Sequence, residues 1–173
     1  MQLSYCPSRM RANRPDTTLK PDQTPTVIGL REWIALPDLG VVGLRAKIDT
    51  GASTSALHAT DISEFERNGQ RWVRFTAHLG TLVQRRHRCE APLLTRKIIK
   101  SSNGQAQTRY VIRTLLAMGD CAWPVEFTLT CRKTMRYRLL LGSKALVDGR
   151  CLVDPARTYI QDKPQILTVP GAQ

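Results

Sequence analysis

Hydrophobic and polar residues alternate in short runs along much of the chain. Leu44, Ala46 and Ile48 fall on one face of one segment, Val73, Phe75, Ala77 and Leu79 on one face of a second, and Val125, Phe127 and Leu129 on one face of a third. A period of two puts successive side chains on opposite faces, so these segments are predicted as β-strands with one face in the core. Turn-forming residues separate them: Pro37-Asp38-Leu39-Gly40, Asn68-Gly69 and Asn103-Gly104. The last two dipeptides accept the positive φ of tight hairpins. Many short strands joined by hairpins predict an all-β sandwich or barrel. One helical turn is expected from Ser143 through Lys144-Ala145-Leu146, with the Ser143 side chain capping the first amides. Residues 1–25 carry prolines at 7, 15, 21 and 25 without apolar periodicity, which predicts a disordered N-terminal arm ahead of a domain spanning 26–173.

Composition narrows the class. A chain of 173 residues with 42% apolar and 23% charged residues is long enough for one self-sufficient core. No stretch reaches the ~20 apolar residues of a membrane helix, and the first residues lack the apolar centre of a signal peptide. The five cysteines, 6, 89, 121, 131 and 151, are odd in number and widely spaced, as expected of reduced thiols in the cytoplasm. They read as mostly structural. Lys and Arg exceed Asp and Glu, 26 against 14, for a net charge of +12. Such an excess concentrates polyanions at the surface, whether RNA, a phosphorylated surface or an acidic polypeptide.

The sharpest chemical feature is Asp49-Thr50-Gly51-Ala52 at the end of an apolar strand. A strand that delivers a carboxylate into a turn aims it rigidly. Gly51 would let backbone approach closely, and the Thr50 hydroxyl would tie down a neighbouring loop. The plainer alternative is an Asp that caps its own turn.

The block from Asp49 through His58, followed by Leu139-Leu140-Leu141-Gly142-Ser143-Lys144-Ala145-Leu146, resembles the paired signature of retropepsin-like aspartic proteases. It is most similar to a bacterial, RimB-like branch described as ATP-dependent zinc proteases, whose members often adjoin an ATP-grasp ligase that adds glutamates to a ribosomal protein. The resemblance runs from about residue 26 to 160 and departs from that branch at Cys131, Ser143 and Tyr137-Arg138-Leu139. It implies a closed acid-protease barrel with a short helix after the apolar-Gly strand. It also implies a cytoplasmic aspartic endopeptidase with Asp49 as the catalytic carboxylate, Thr50 and Gly51 holding its loop, and Gly142 supporting it from behind. This chemistry needs two carboxylates sharing one proton. One chain offers a single Asp-Thr-Gly, so the resemblance implies a homodimer joining two copies of Asp49.

The zinc and the ATP of that description find little support in the residues. The histidines are 58, 78 and 87, and only His87-x-Cys89 has ligand-like spacing, with two further ligands lacking. His78, on an outward strand position, and His87 are expected to be solvated. Gly142-Ser143-Lys144-Ala145 has a Gly and a Lys but lacks the four-residue gap, the second Gly and the Lys-Ser/Thr ending of a phosphate loop. The expectation is therefore no metal and no cofactor. Basic clusters at Arg85-Arg86-His87-Arg88, at Arg96-Lys97 with Lys100, and at Arg132-Lys133 with Arg136 and Arg138 suit either a solvated face or an anionic partner. Ala52, Arg132 and Arg136 are the candidate substrate contacts. Aromatic residues make up only 6% of the chain, which disfavours base stacking. An acidic, glutamate-rich polypeptide linked to a ribosomal protein is therefore preferred to RNA as the partner, and no membrane partner is expected. The alternative to the endopeptidase is a non-catalytic basic module that binds ribosome or RNA.

Overall fold

The computed structural model describes residues 24–80, 86–100, 106–131 and 136–164. Ten strands follow in order: β1 (Thr26–Gly29), β2 (Arg31–Leu36), β3 (Val41–Asp49), β4 (Ser55–Arg67), β5 (Gln70–His78), β6 (Arg86–Lys100), β7 (Ala106–Met118), β8 (Cys121–Thr130), β9 (Leu139–Gly142) and β10 (Cys151–Asp154). A 3-10 turn, Pro37–Leu39, lies between β2 and β3, and the helix α1 (Ser143–Asp148) follows β9. The large sheet runs β2-β3-β9-β4-β5-β6-β7-β8. The β2–β7 pairing bends it round on itself, and a parallel β4–β8 pairing closes β4-β5-β6-β7-β8 into a ring. The all-β, barrel-like expectation is met. β1 and β10 form a separate two-stranded parallel sheet.

The alternation read from the sequence is what closes this barrel. Leu44, Ala46, Val73, Phe75, Ala77, Val125, Phe127 and Leu129 are all buried in one apolar core, and Leu79 packs at its edge. Burying a side chain such as Phe127, which is wholly enclosed, contributes about 1.5–3 kcal/mol. Asn68 and Gly69 both take positive φ, 53° and 72°, and turn β4 tightly into β5. Strands β4, β6 and β7 run to 13, 15 and 13 residues, longer than the short strands expected. Register shifts between Thr60 and Ser63 and between Leu93 and Thr95 let β4 and β6 bend and continue through the curvature.

Several expectations are corrected. Ser143 begins α1 but does not cap it. The cap position is Gly142, with no side-chain cap bond, and the Ser143 hydroxyl donates instead to the Ala52 carbonyl at 3.2 Å. His78 is half-buried, its ring stacked on His58 with centroids 4.2 Å apart. His87 is also half-buried, because the tight turn at Gly40 brings backbone against its ring. Of the cysteines, Cys89 is buried, whereas Cys121 and Cys131 are exposed thiols. Cys6, the N-terminal arm up to residue 23, Arg85, Asn103-Gly104 and Arg132 lie outside the described residues. Among the described residues, no helix is long and apolar enough to cross a membrane.

Candidate functional site

β3 and β9 run parallel, with Ala46 opposite Leu139, Ile48 opposite Leu141 and Asp49 opposite Gly142. Apolar residues of both strands point into the core, so the pair is rigid where it ends. At that end the chain turns through Thr50, Gly51 and Ala52. The Asp49 carboxylate is half-buried and its Oδ1 accepts the Ala52 amide at 3.2 Å.

The turn is braced from the side of β9. The Ser143 amide donates to the Ala52 carbonyl at 2.7 Å and the Lys144 amide to the Ser53 carbonyl at 3.2 Å. The Gly142 amide donates to the Ser55 hydroxyl at 3.0 Å. A Cβ on Gly142 would stand 2.6 Å from the Thr54 carbonyl carbon and 2.8 Å from the Ala52 oxygen, so the two backbones touch only because Gly142 has none. The sequence places close approach at Gly51 as well as at Gly142, and the tie at Thr50. A Cβ on Gly51 would meet only the Asp49 carboxylate, at 3.6 Å. Thr50 is exposed, and its hydroxyl has no hydrogen bond among the described residues. Ser55 and Ser143 supply the hydroxyls that hold the loop. The hydroxyl-rich run Ser53-Thr54-Ser55 was the available signal.

These bonds also decide what the Gly142-Ser143-Lys144 turn can bind. Its three amides are spent on Ser55, Ala52 and Ser53. A phosphate at a helix start needs such amides free, so the residues here do not fit a nucleotide phosphate. Among the described residues, no group of three His, Cys, Asp or Glu side chains is placed to hold a metal ion.

Arg136 is exposed and precedes β9, at the Ala46–Leu139 end of the parallel pair, away from the Asp49 end. It does not join Asp49, Thr50, Gly51, Ala52 and Gly142, which the structure brings together. A second polar group lies further along β4. His58 is buried, with Nδ1 3.4 Å from the Thr130 carbonyl. His78 Nε2 lies 2.9 Å from the Thr60 hydroxyl, which itself donates to Asp61 Oδ2 at 3.0 Å. With that proton committed to Asp61, His78 Nε2 is the donor to Thr60. Burial first, then the charges of Arg86 and Arg138, holds the His78 pKa below its ordinary value. Hydrogen bonds from Thr76 and Thr60 hold the Asp61 carboxyl below its own.

Similarity to known proteins extends over most of this chain. A probable alpha-L-glutamate ligase of Desulfotalea psychrophila is 42% identical over 131 residues, which is 75% of this chain and 28% of that protein. A probable alpha-L-glutamate ligase of Shewanella pealeana is 44% identical over 134 residues, covering 77% and 29%. The chain therefore spans under a third of these curated relatives. Their names overturn the expectation of an aspartic endopeptidase, and with it the hydrolase and protease assignment; they point to ligase chemistry. Within one chain, no second carboxyl group among the described residues is hydrogen-bonded to Asp49 to make up the required pair. A Legionella pneumophila protein of unknown function, solved by crystallography, superposes with a TM-score of 0.66 at 32% identity, covering 79% of this chain and 98% of that one. The model of the RimB-like family, described as retropepsin-like aspartic endopeptidase RimB, matches residues 27–164, and the chain belongs to that family.

Proposed function

We propose that this chain works in alpha-L-glutamate ligation, as the unit that engages the glutamate-bearing polypeptide while bond formation is carried out elsewhere. The observation that carries this reading is the 42–44% identity to a segment amounting to 28–29% of proteins named probable alpha-L-glutamate ligase. Ligation must activate a carboxylate, and the one turn resembling a phosphate loop has its amides occupied by Ala52, Ser53 and Ser55. What the chain does offer is a carboxylate on a braced loop. Asp49 keeps acceptor capacity after taking the Ala52 amide, and a charged acceptor held in place binds an amino or amide N–H strongly. In this reading the Asp49 loop positions a polypeptide or a glutamate amine.

The experiment is glutamate addition to an acceptor polypeptide by a ligase lacking this unit, with the chain supplied separately. The chain is expected to increase the rate or the number of glutamates added. Asp49→Asn removes the charge and Asp49→Ala removes the acceptor as well; both are expected to lose most of the increase while remaining folded. No effect of the wild-type chain would sink the reading. So would shortening of the acceptor, because that would mean bond cleavage.

A further inference from the structure

One patch of the surface gathers cations around two aromatic rings rather than against carboxylates. Alternation along β2 buries Glu32 and Ile34 and leaves Arg31 and Trp33 on the other face; along β3 it buries Leu44 and Ala46 and exposes Arg45 and Lys47. Antiparallel register sets Arg31 opposite Lys47 and Trp33 opposite Arg45. Two distant segments complete the patch. Lys163 brings its Nζ to 5.0 Å from the Trp33 ring centre, and the Arg45 guanidinium lies at 6.0 Å from the same ring. Ahead of β9, Tyr137 has Arg31 and Arg136 each 5.8 Å from its ring centre. Arg45 and Arg136 also border one shallow cleft with Gly80. Gly43 provides the seat for Lys163, since a Cβ there would stand 2.9 Å from the lysine Cε.

Among the described residues, the other rings that carry cations, Phe65 and Trp72, differ, because their arginines are already paired with a carboxylate. Arg67 and Arg74 share Glu90, Arg96 pairs with Glu64, Lys144 with Glu126 and Arg157 with Asp154. Among the described residues, Arg31, Arg45, Lys47, Arg136 and Lys163 have no carboxylate partner, and Asp162 beside Lys163 forms no ion pair. A ring face attracts a cation without using up its N–H donors. Four of these five like charges are thus held on rings, with Lys47 set opposite Arg31, and all remain able to bind an anion, whose arrival would relieve their mutual repulsion.

We propose that this face, centred on Trp33 and Arg45, is a docking surface for a carboxylate-rich polypeptide segment. Side chains on one face of an extended strand repeat about every 6.7 Å, so alternate carboxylates of an extended acidic peptide match the interval from Arg45 to Lys47. Guanidinium groups grip carboxylates bidentately. The same cations cover Trp33 and Tyr137, which deprives nucleic-acid bases of the bare ring they stack on; that favours carboxylates over RNA. On β3 the face reaches Lys47, two residues before Asp49. It deepens the function proposed above only in naming where the acidic partner binds, and its test does not involve glutamate addition.

Binding of a fluorescein-labelled oligoglutamate peptide to the intact chain, followed by anisotropy at low and physiological salt, is the test. The paired variants Arg45→Gln with Lys163→Gln, and Arg31→Gln with Arg136→Gln, remove two charges each from the face. Arg71→Gln with Arg88→Gln removes two exposed charges from elsewhere. Each face pair is expected to weaken binding about tenfold and the control less than about twofold, with an oligoglutamine peptide failing to bind. Lys163→Gln alone, confined to one exposed side chain, checks the result if a double variant melts early. Equal weakening by the control would reduce the effect to net charge and overturn the proposal. Absence of peptide binding, or displacement of the peptide by single-stranded RNA at lower concentration, would overturn it too. Peptide binding lost in the face variants while glutamate addition is unaffected by the chain would leave the docking surface and remove the ligation reading.

Discussion

Gly142 stands directly opposite Asp49 in the parallel β3–β9 pair, and the volume a side chain would need at Gly142 is already filled by the backbone of Ala52 and Thr54. The carboxylate at the end of one strand is therefore aimed by the missing Cβ at the end of the other.

Gly142→Val should force those backbones apart and destabilise the chain by about 1–3 kcal/mol. Denaturant unfolding measures the cost, and hydrogen exchange at Ser143 and Lys144 should rise as their bonds to Ala52 and Ser53 are lost. Wild-type stability and protection would show that β9 does not brace the loop.

Glu32 is fully buried, and its two oxygens accept the amides of Gly29, Ile160 and Gln161 at 2.6, 3.1 and 3.2 Å. It fastens the end of β1 and the segment after β10 to the barrel. Glu32→Leu should leave these three amides without their acceptor, at a cost of about 1–3 kcal/mol for each that stays buried, and should make the released segment cleavable by chymotrypsin after Tyr159. An unchanged digestion pattern would refute the fastening.

His78 gives a pH dependence with a defined sign. Its pKa in the folded chain lies below the ordinary value, so the unfolded chain takes up the proton first as pH falls. The contribution is present in full above about pH 6.5, the unfolded value, and is lost as pH falls through the lower folded value. Wild type should lose stability between pH 7 and pH 5 more steeply than His78→Gln, in which Arg86, Arg138, Asp61 and His58 remain but the titrating ring is gone. Parallel curves would assign the dependence to other groups.

Thiol reactivity should divide by burial. Burial pushes the Cys89 and Cys151 thiols up to about 11, so at neutral pH they lack the reactive thiolate. Cys121 and Cys131 are exposed. Brief treatment with iodoacetamide followed by peptide mass analysis should find Cys121 and Cys131 modified and Cys89 and Cys151 intact until the chain is unfolded. Early modification of Cys89 would contradict its buried place in the core.

Local periodicity was enough to read β3, β5 and β8 and the Asn68-Gly69 turn between β4 and β5, because alternation and a positive-φ dipeptide act over a few residues. It also placed Asp49 at the end of an apolar strand and Gly142 at the end of another. It did not show that backbones touch at Gly142 alone and not also at Gly51, nor that Ser55 and Ser143 hold the loop in place of Thr50, since Gly142 and Ser55 are 87 positions apart. The His58–His78 stack depended on the β4–β5 register, which a bulge between Thr60 and Ser63 shifts and which strand alternation by itself places wrongly. The cation-covered rings of the β2–β3 face were further still from view, because Trp33 meets Lys163 only after the segment beyond β10 returns across the barrel to lie on the Glu32 carboxylate. Strand identity and core face follow from side-chain alternation along the chain itself; which polar groups meet is decided only when sheet closure brings distant segments together.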